Sequence, residues 1–92
     1  MGYVEATVKL LNKVGLHARP AVLFVQTANQ FKSEITVTKK GGDKQANAKS
    51  ILDVLSLGAE YGDVITIRAQ GGDQEEALKA LVELVKNKFY EE

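Results

Sequence analysis

A chain of 92 residues has room for one small domain spanning residues 1–92 and one hydrophobic core, and no second domain is expected. Its 12 basic and 12 acidic side chains cancel while 45% of residues are hydrophobic, which argues against a disordered chain and leaves no overall positive charge to hold nucleic acid or an anionic membrane. With no cysteine and one histidine there are no disulfides, no thiolate chemistry and too few ligands for zinc, so neither metal nor cofactor is expected.

Residues 3–10, YVEATVKL, alternate, with Val4, Ala6, Val8 and Leu10 on one side and Glu5, Thr7 and Lys9 on the other, the period of a half-buried strand. From Pro20 the apolar residues Ala21, Phe24, Val25, Ala28 and Phe31 recur at helical spacing, predicting an amphipathic helix that ends near Phe31. EITVTKK alternates again, and Gly41 and Gly42 turn it into a weaker strand, DKQANA, with Ala46 and Ala48 inward. ILDVLSLG reads as a short helix started by Ser50 and stopped by Gly58, with Ile51, Val54 and Leu55 grouped on one face. After a loop from Glu60 to Asp63, VITIRA forms a strand with Ile65, Ile67 and Ala69 inward. Asp73 followed by Glu76 is the pattern of a capping box, opening a helix with an apolar stripe of Ala77, Leu78, Leu81, Val82, Val85 and Phe89.

The order β-α-β-β-α-β-α, with strands patterned on one face only, predicts an α+β open-faced sandwich: a four-stranded, mostly antiparallel sheet covered on one face by three helices. No apolar run approaches the roughly 20 residues that cross a bilayer, and the N-terminus lacks a secretory pattern, so a cytoplasmic location without membrane insertion is expected.

The chemistry concentrates in GLHARPA, which holds the only histidine and the only proline of the chain. Gly15 permits a sharp exit from the preceding loop, Leu16 points inward and His17 outward, and Pro20 suits a first helical turn, where its missing N–H costs nothing. The residue before a proline is pushed from helical angles, which makes Arg19 the expected last non-helical position. A helix start offers free N–H donors and the positive end of the macrodipole to a phosphate, and Arg19 adds a forked, permanent cation. Taken alone, a solitary histidine in such a place is most often a solvated or cap-like residue.

The whole segment GLHARPAVLFVQTANQF resembles the active-site segment of the histidine-containing phosphocarrier family, HPr, of the bacterial phosphoenolpyruvate-dependent sugar phosphotransferase system. NAKSILDVLSLGA, residues 47–59, resembles that family's second signature, and length and element order extend the likeness over essentially the entire chain. The resemblance implies a stoichiometric carrier and not an enzyme, in which His17 accepts phosphate on Nδ1 from phosphorylated enzyme I and passes it to a sugar-specific enzyme IIA, with Arg19 balancing charge. It also implies that Ser50 is a candidate phosphoserine, set by a dedicated serine kinase/phosphorylase and read by a catabolite-repression transcription regulator.

Ser50 and Asp53 independently form a capping-box pattern. Asp53 stands where the family pattern leads one to expect a glycine or a basic residue, and its charge would repel a phosphate on Ser50. Val14 is a second departure, at a position where the family often has threonine or asparagine. The resemblance places a docking patch around Ser50, with Ala21, Lys49, Ile51, Leu52 and Leu55 as candidate partner contacts; from spacing, Ile51 and Leu55 are expected to be core, Leu52 exposed, and Lys49 a rim charge. Two rivals stay open: a regulatory binding module of the same fold, and a small acylphosphatase-like hydrolase that binds an anion through Arg19.

Overall fold

The alternating segments pair into a single sheet. The computed structural model describes residues 2–91. Among them the chain runs β1 (Val4–Lys9), α1 (Ala18–Ala28), β2 (Glu34–Lys39), β3 (Gln45–Asn47), α2 (Ile51–Ser56), β4 (Val64–Gln70) and α3 (Gln74–Lys86), then a tight turn at Lys88–Tyr90. The four strands lie in the order β1-β4-β2-β3, and each neighbouring pair is antiparallel. Register sets apolar residues opposite one another: Ala6 faces Ile67, Val8 faces Ile65, and Val37 faces Ile67 from the other side. Because side chains alternate across a strand, this register sends the apolar set to one face, where the helices cover it. The open-faced α+β sandwich expected from the patterning is the fold observed.

The other face is polar and held by cross-strand pairs. Thr7 and Thr66, directly opposite, share a hydrogen bond of 2.9 Å, and the Arg68 Nε donates to Glu5 at 3.2 Å while its guanidinium lies 4.0 Å over the Tyr3 ring. On the covered face α3 packs against β1 and β4, and α1 packs against α2 and α3. Leu16, Phe24, Ile65, Ile67, Leu81 and Val85 are among the buried residues of the shared core.

Several boundaries differ from the sequence expectation for identifiable reasons. Helix α1 starts at Ala18, so Arg19 lies inside its first turn and is not the last non-helical residue. A proline at the third helical position removes an N–H that has no intrahelical acceptor, so the helix extends two residues ahead of it. It ends at Ala28, before Phe31: Asn29 folds back, its Nδ2 donating to the Val25 carbonyl at 3.0 Å. Strand β3 is limited to Gln45–Asn47, shorter than the expected 43–48, and the Asn47 amide donates to the Asp53 carboxylate at 3.1 Å. Phe89 is buried, but by a left-handed turn rather than by the stripe of α3: Lys88, Phe89 and Tyr90 have φ between 53° and 58°.

Neither expected capping box closes. The Asp73 side chain makes no cap bond to its own helix; its carboxylate accepts from the Lys32 and Ser33 amides, at 2.9 and 3.0 Å, and from the Ser33 hydroxyl. These donors, the Ser33 hydroxyl foremost and the Lys32 amide next, hold the Asp73 carboxyl below its ordinary value of 3.8. A different bond braces this helix start: Gln74 Oε1 accepts from the Gly71 amide, two residues ahead of the cap, at 3.1 Å. At α2, Ser50 Oγ accepts from the Asp53 amide at 3.2 Å, which is half of the box; Asp53 returns no bond to Ser50.

Candidate functional site

The site forms where two loops are laced together. The loop entering α1 and the loop between α2 and β4 exchange backbone bonds: Leu10 N–H to Asp63 O at 2.8 Å, Gly62 N–H to Leu10 O at 2.7 Å, and Leu16 N–H to Ala59 O at 2.9 Å. The buried Asn12 folds the first loop by donating from Nδ2 to the Gly15 carbonyl at 2.9 Å. Gly15 has φ +65° and passes so near the second loop that a Cβ there would sit 2.5 Å from the Ala59 carbonyl oxygen. Only glycine meets both demands, a left-handed backbone and this approach. Leu16 is then fully buried and anchors the turn, leaving His17 partly exposed as the residue that caps α1.

His17 makes no side-chain bond to its own helix. The amides of Ala18 and Arg19 donate to no acceptor among the described residues, so the start of α1 presents two free N–H groups beside the imidazole. Ala18 has φ +52°, a left-handed conformation that residues with a Cβ rarely adopt. Arg19 is exposed and forms no ion pair among the described residues. An imidazole, two unpaired amides, a helix dipole and a free guanidinium suit the binding of a phosphoryl group without a metal or an enclosing pocket.

One neighbour was not foreseen. The carboxylate of Glu60, 43 residues away in sequence, lies 3.1 Å from His17 Nε2. In the sequence Glu60 is merely the first residue of a polar loop, and no spacing or motif marks it.

The second region is centred on α2. Ile51 and Leu55, expected in the core, are 36% and 37% exposed, and Leu52 is 77% exposed; Val54 is the buried residue of this helix. A helix of six residues resting on one side turns little of its circumference inward, which leaves three large apolar side chains in solvent. Two candidate contacts fall elsewhere. Ala21 is fully buried on the inner face of α1 and offers partners no surface, while Val22 beside it is exposed. Lys49 is part exposed and tethered: its Nζ donates to the Phe31 carbonyl at 2.6 Å and its carbonyl accepts from Asn29 Nδ2 at 3.1 Å, tying the end of α1 to the start of α2 while the ammonium keeps its charge. The Asp53 carboxylate, besides the Asn47 amide, lies 3.8 Å from the Lys44 Nζ.

Among the described residues there is no cluster of metal-ligating side chains, and no helix is long and apolar enough to cross a membrane. Residues 4–87 match the family model of the PTS HPr component phosphorylation site. The chain is 43% identical over 88 residues to the phosphocarrier protein HPr of Neisseria meningitidis serogroup A, covering 96% of this chain and 97% of that protein. It is similar to the crystal structure of HPr-C-His from Thermoanaerobacter tengcongensis, with a TM-score of 0.92 and 54% identity over 97% of this chain and 98% of that one. The solution structure of Crh, the Bacillus subtilis catabolite repression HPr, is similar at a TM-score of 0.66 and 46% identity, covering 89% of this chain and 95% of that one.

Proposed function

Because this chain belongs to the HPr family of phosphocarrier proteins of the phosphotransferase system, we propose that His17 is its phosphoryl acceptor, charged by phosphorylated enzyme I and discharged to sugar-specific enzyme IIA proteins. A phosphocarrier of this family is not an enzyme: it takes up and hands on one phosphoryl group per cycle. The observation that carries the assignment is the setting of His17, an N-cap residue whose imidazole makes no bond to its own helix and stands beside the free amides of Ala18 and Arg19 at the start of α1.

The chemistry follows from that setting. The Nδ1 lone pair attacks the phosphorus of the donor in line, the donor's bond to phosphorus breaks, and the three phosphoryl oxygens meet the amides and the Arg19 guanidinium. These groups stand ready before transfer, so little reorganisation opposes it. Release is as necessary as capture, and a partly exposed histidine at an open helix end leaves the phosphoryl group accessible to the next partner. Ile51, Leu52 and Leu55 form the apolar contact for both partners, their exposure supporting that role. Ala21, fully buried, has no part in it, while the Lys49 ammonium beside the patch adds a positive charge at its edge. A carrier between enzyme I and enzyme IIA works in the cytoplasm.

Ser50 is the regulatory site of this reading, served by a serine kinase/phosphorylase and recognised by a catabolite-repression regulator. The similarity to the Bacillus subtilis catabolite repression HPr supports it, and the commitment of Asp53 to the Asn47 amide and Lys44 softens the repulsion that Asp53 would otherwise exert. A purely regulatory module has no use for the His17 setting. Incubation with phosphoenolpyruvate and enzyme I tests the carrier: one equivalent of acid-labile, alkali-stable phosphate is expected, lost in His17→Ala. Its absence from the unmutated protein overturns the reading, and multiple turnover of an acylphosphate indicates a hydrolase instead.

A further inference from the structure

Resting on the carrier reading, we propose that Glu60 is a positioning residue for phosphoryl transfer: its carboxylate holds the His17 proton on Nε2, leaving Nδ1 as the nucleophile and assisting its departure at the next transfer. The contact is a carboxylate oxygen 3.1 Å from Nε2, with His17 32% and Glu60 67% exposed. An exposed pair of this kind adds little to stability, but selecting a tautomer requires little. A hydrogen bond of ordinary net strength biases the ring about fivefold toward the Nε2–H form.

Glu60 is not placed by chance. Its amide donates to the Asp63 carboxylate at 2.8 Å, and the Lys39 Nζ approaches the same Asp63 carboxylate at 4.0 Å. The preceding residue, Ala59, accepts from Leu16 N–H at 2.9 Å, immediately before His17, and Gly15 abuts the Glu60 backbone. Each end of the contact is therefore fixed by main chain, and only the two short side-chain reaches remain flexible. The carboxylate lies at the Nε2 edge of the ring, so it does not occupy the Nδ1 edge where phosphate adds.

Electron and proton accounting give the carboxylate a purpose in both directions. When the Nδ1 lone pair forms the bond to phosphorus and the donor's bond to phosphorus breaks, the ring carrying its Nε2 proton becomes cationic, and Glu60 faces that charge. On discharge the acceptor attacks phosphorus, the Nδ1–P bond breaks, and its electron pair returns to Nδ1. The leaving group is then a neutral imidazole, protonated on Nε2, and not an imidazolate. A carboxylate that orients a histidine tautomer and meets its developing charge acts here on a nucleophile as it does elsewhere on a general base.

The test compares the unmutated protein with E60A and E60Q. Long-range proton–nitrogen NMR of the neutral imidazole should show Nε2–H in the unmutated protein, about a fivefold lower ratio of Nε2–H to Nδ1–H in E60A, and a near-normal ratio in E60Q, whose amide oxygen still accepts. Single-turnover transfer with enzyme I and phosphoenolpyruvate, then to an enzyme IIA, should slow by about two- to fivefold in E60A, the range a fivefold tautomer shift allows, and less in E60Q. An unmutated ring protonated on Nδ1, or an E60A variant unchanged in tautomer ratio or in transfer, overturns the proposal. If the unmutated protein takes up no phosphate, the carrier reading fails and the transfer role of Glu60 fails with it; normal uptake with an unaffected E60A defeats the role of Glu60 alone.

Discussion

Gly15→Ala tests whether the close approach of the two loops holds the site together. The new Cβ would lie 2.5 Å from the Ala59 carbonyl oxygen and 2.7 Å from both the Glu60 Cα and carbonyl carbon, all backbone atoms with no side chain able to swing away. Relief requires the loops to part by about 1 Å, since carbon contacts are favourable only near 3.5–4.0 Å. Three costs combine: about 1–2 kcal/mol for a Cβ at φ +65°, about 1–3 kcal/mol for overpacking, and about 1 kcal/mol for weakening the Leu16 to Ala59 hydrogen bond. The loss of unfolded-state freedom in alanine returns about 0.4–1 kcal/mol. A net destabilisation of about 2–5 kcal/mol is expected, a large part of the total for a small domain. In urea denaturation this appears as a midpoint lower by about 1–3 M with the slope unchanged. Gly58→Ala is the control: it shares a left-handed φ of +62° but has nothing within 4 Å of the added Cβ, so after the same unfolded-state return it should lose only about 0–1.5 kcal/mol. Equal midpoints for the two variants would refute the collision, and an unchanged midpoint in Gly15→Ala would refute the whole argument.

Arg19→Ala should slow phosphoryl transfer through His17 by about 10- to 100-fold, the equivalent of a lost charge-assisted hydrogen bond, with the thermal midpoint unchanged because Arg19 pairs with no carboxylate among the described residues; rapid-quench kinetics and a melting curve check both. Leu52→Asp should weaken binding to enzyme I about tenfold or more by calorimetry, since a docked leucine contributes about 1.5–3 kcal/mol, while leaving urea stability within about 0.5 kcal/mol. Asp73→Asn should destabilise the protein at neutral pH. A carboxyl held below its ordinary value of 3.8 stabilises the fold above that value and ceases to do so as pH falls through its lowered one. The gap between the unmutated protein and Asp73→Asn in denaturation midpoint should thus be widest near neutrality and close in acid; a gap independent of pH would show that the carboxylate charge is not what ties α3 to Ser33.

Local patterning carried most of the architecture. Alternation marked Val4 to Leu10, Ile35 with Val37, and Ile65 to Ala69, because a strand's period of two is written in consecutive residues, and register follows once one face must be buried. The helix of Ala77, Leu81 and Val85, the glycine stop at Gly58, and the proline in the first turn of α1 were likewise legible, each a short-range preference of backbone or side chain. His17 and Arg19 could be singled out for the same reason: a helix start, a guanidinium and an imidazole sit within four residues.

Tertiary structure decided where the polar groups find partners. Asp73 reads as the cap of its own helix, yet the turn at Lys32 and Ser33 arrives with three donors and captures its carboxylate. Ile51 and Leu55 fit a core stripe by spacing, but a six-residue helix buries only what its neighbours cover, and that is Val54. Lys49 is tethered through its ammonium to the Phe31 carbonyl, and Ala21 sits on the buried face of α1 rather than on its exposed one. Glu60 is the clearest case: its tie to His17 spans 43 residues and depends on the lacing of two loops across Gly15, and a contact made by chain return leaves no periodic trace in the sequence.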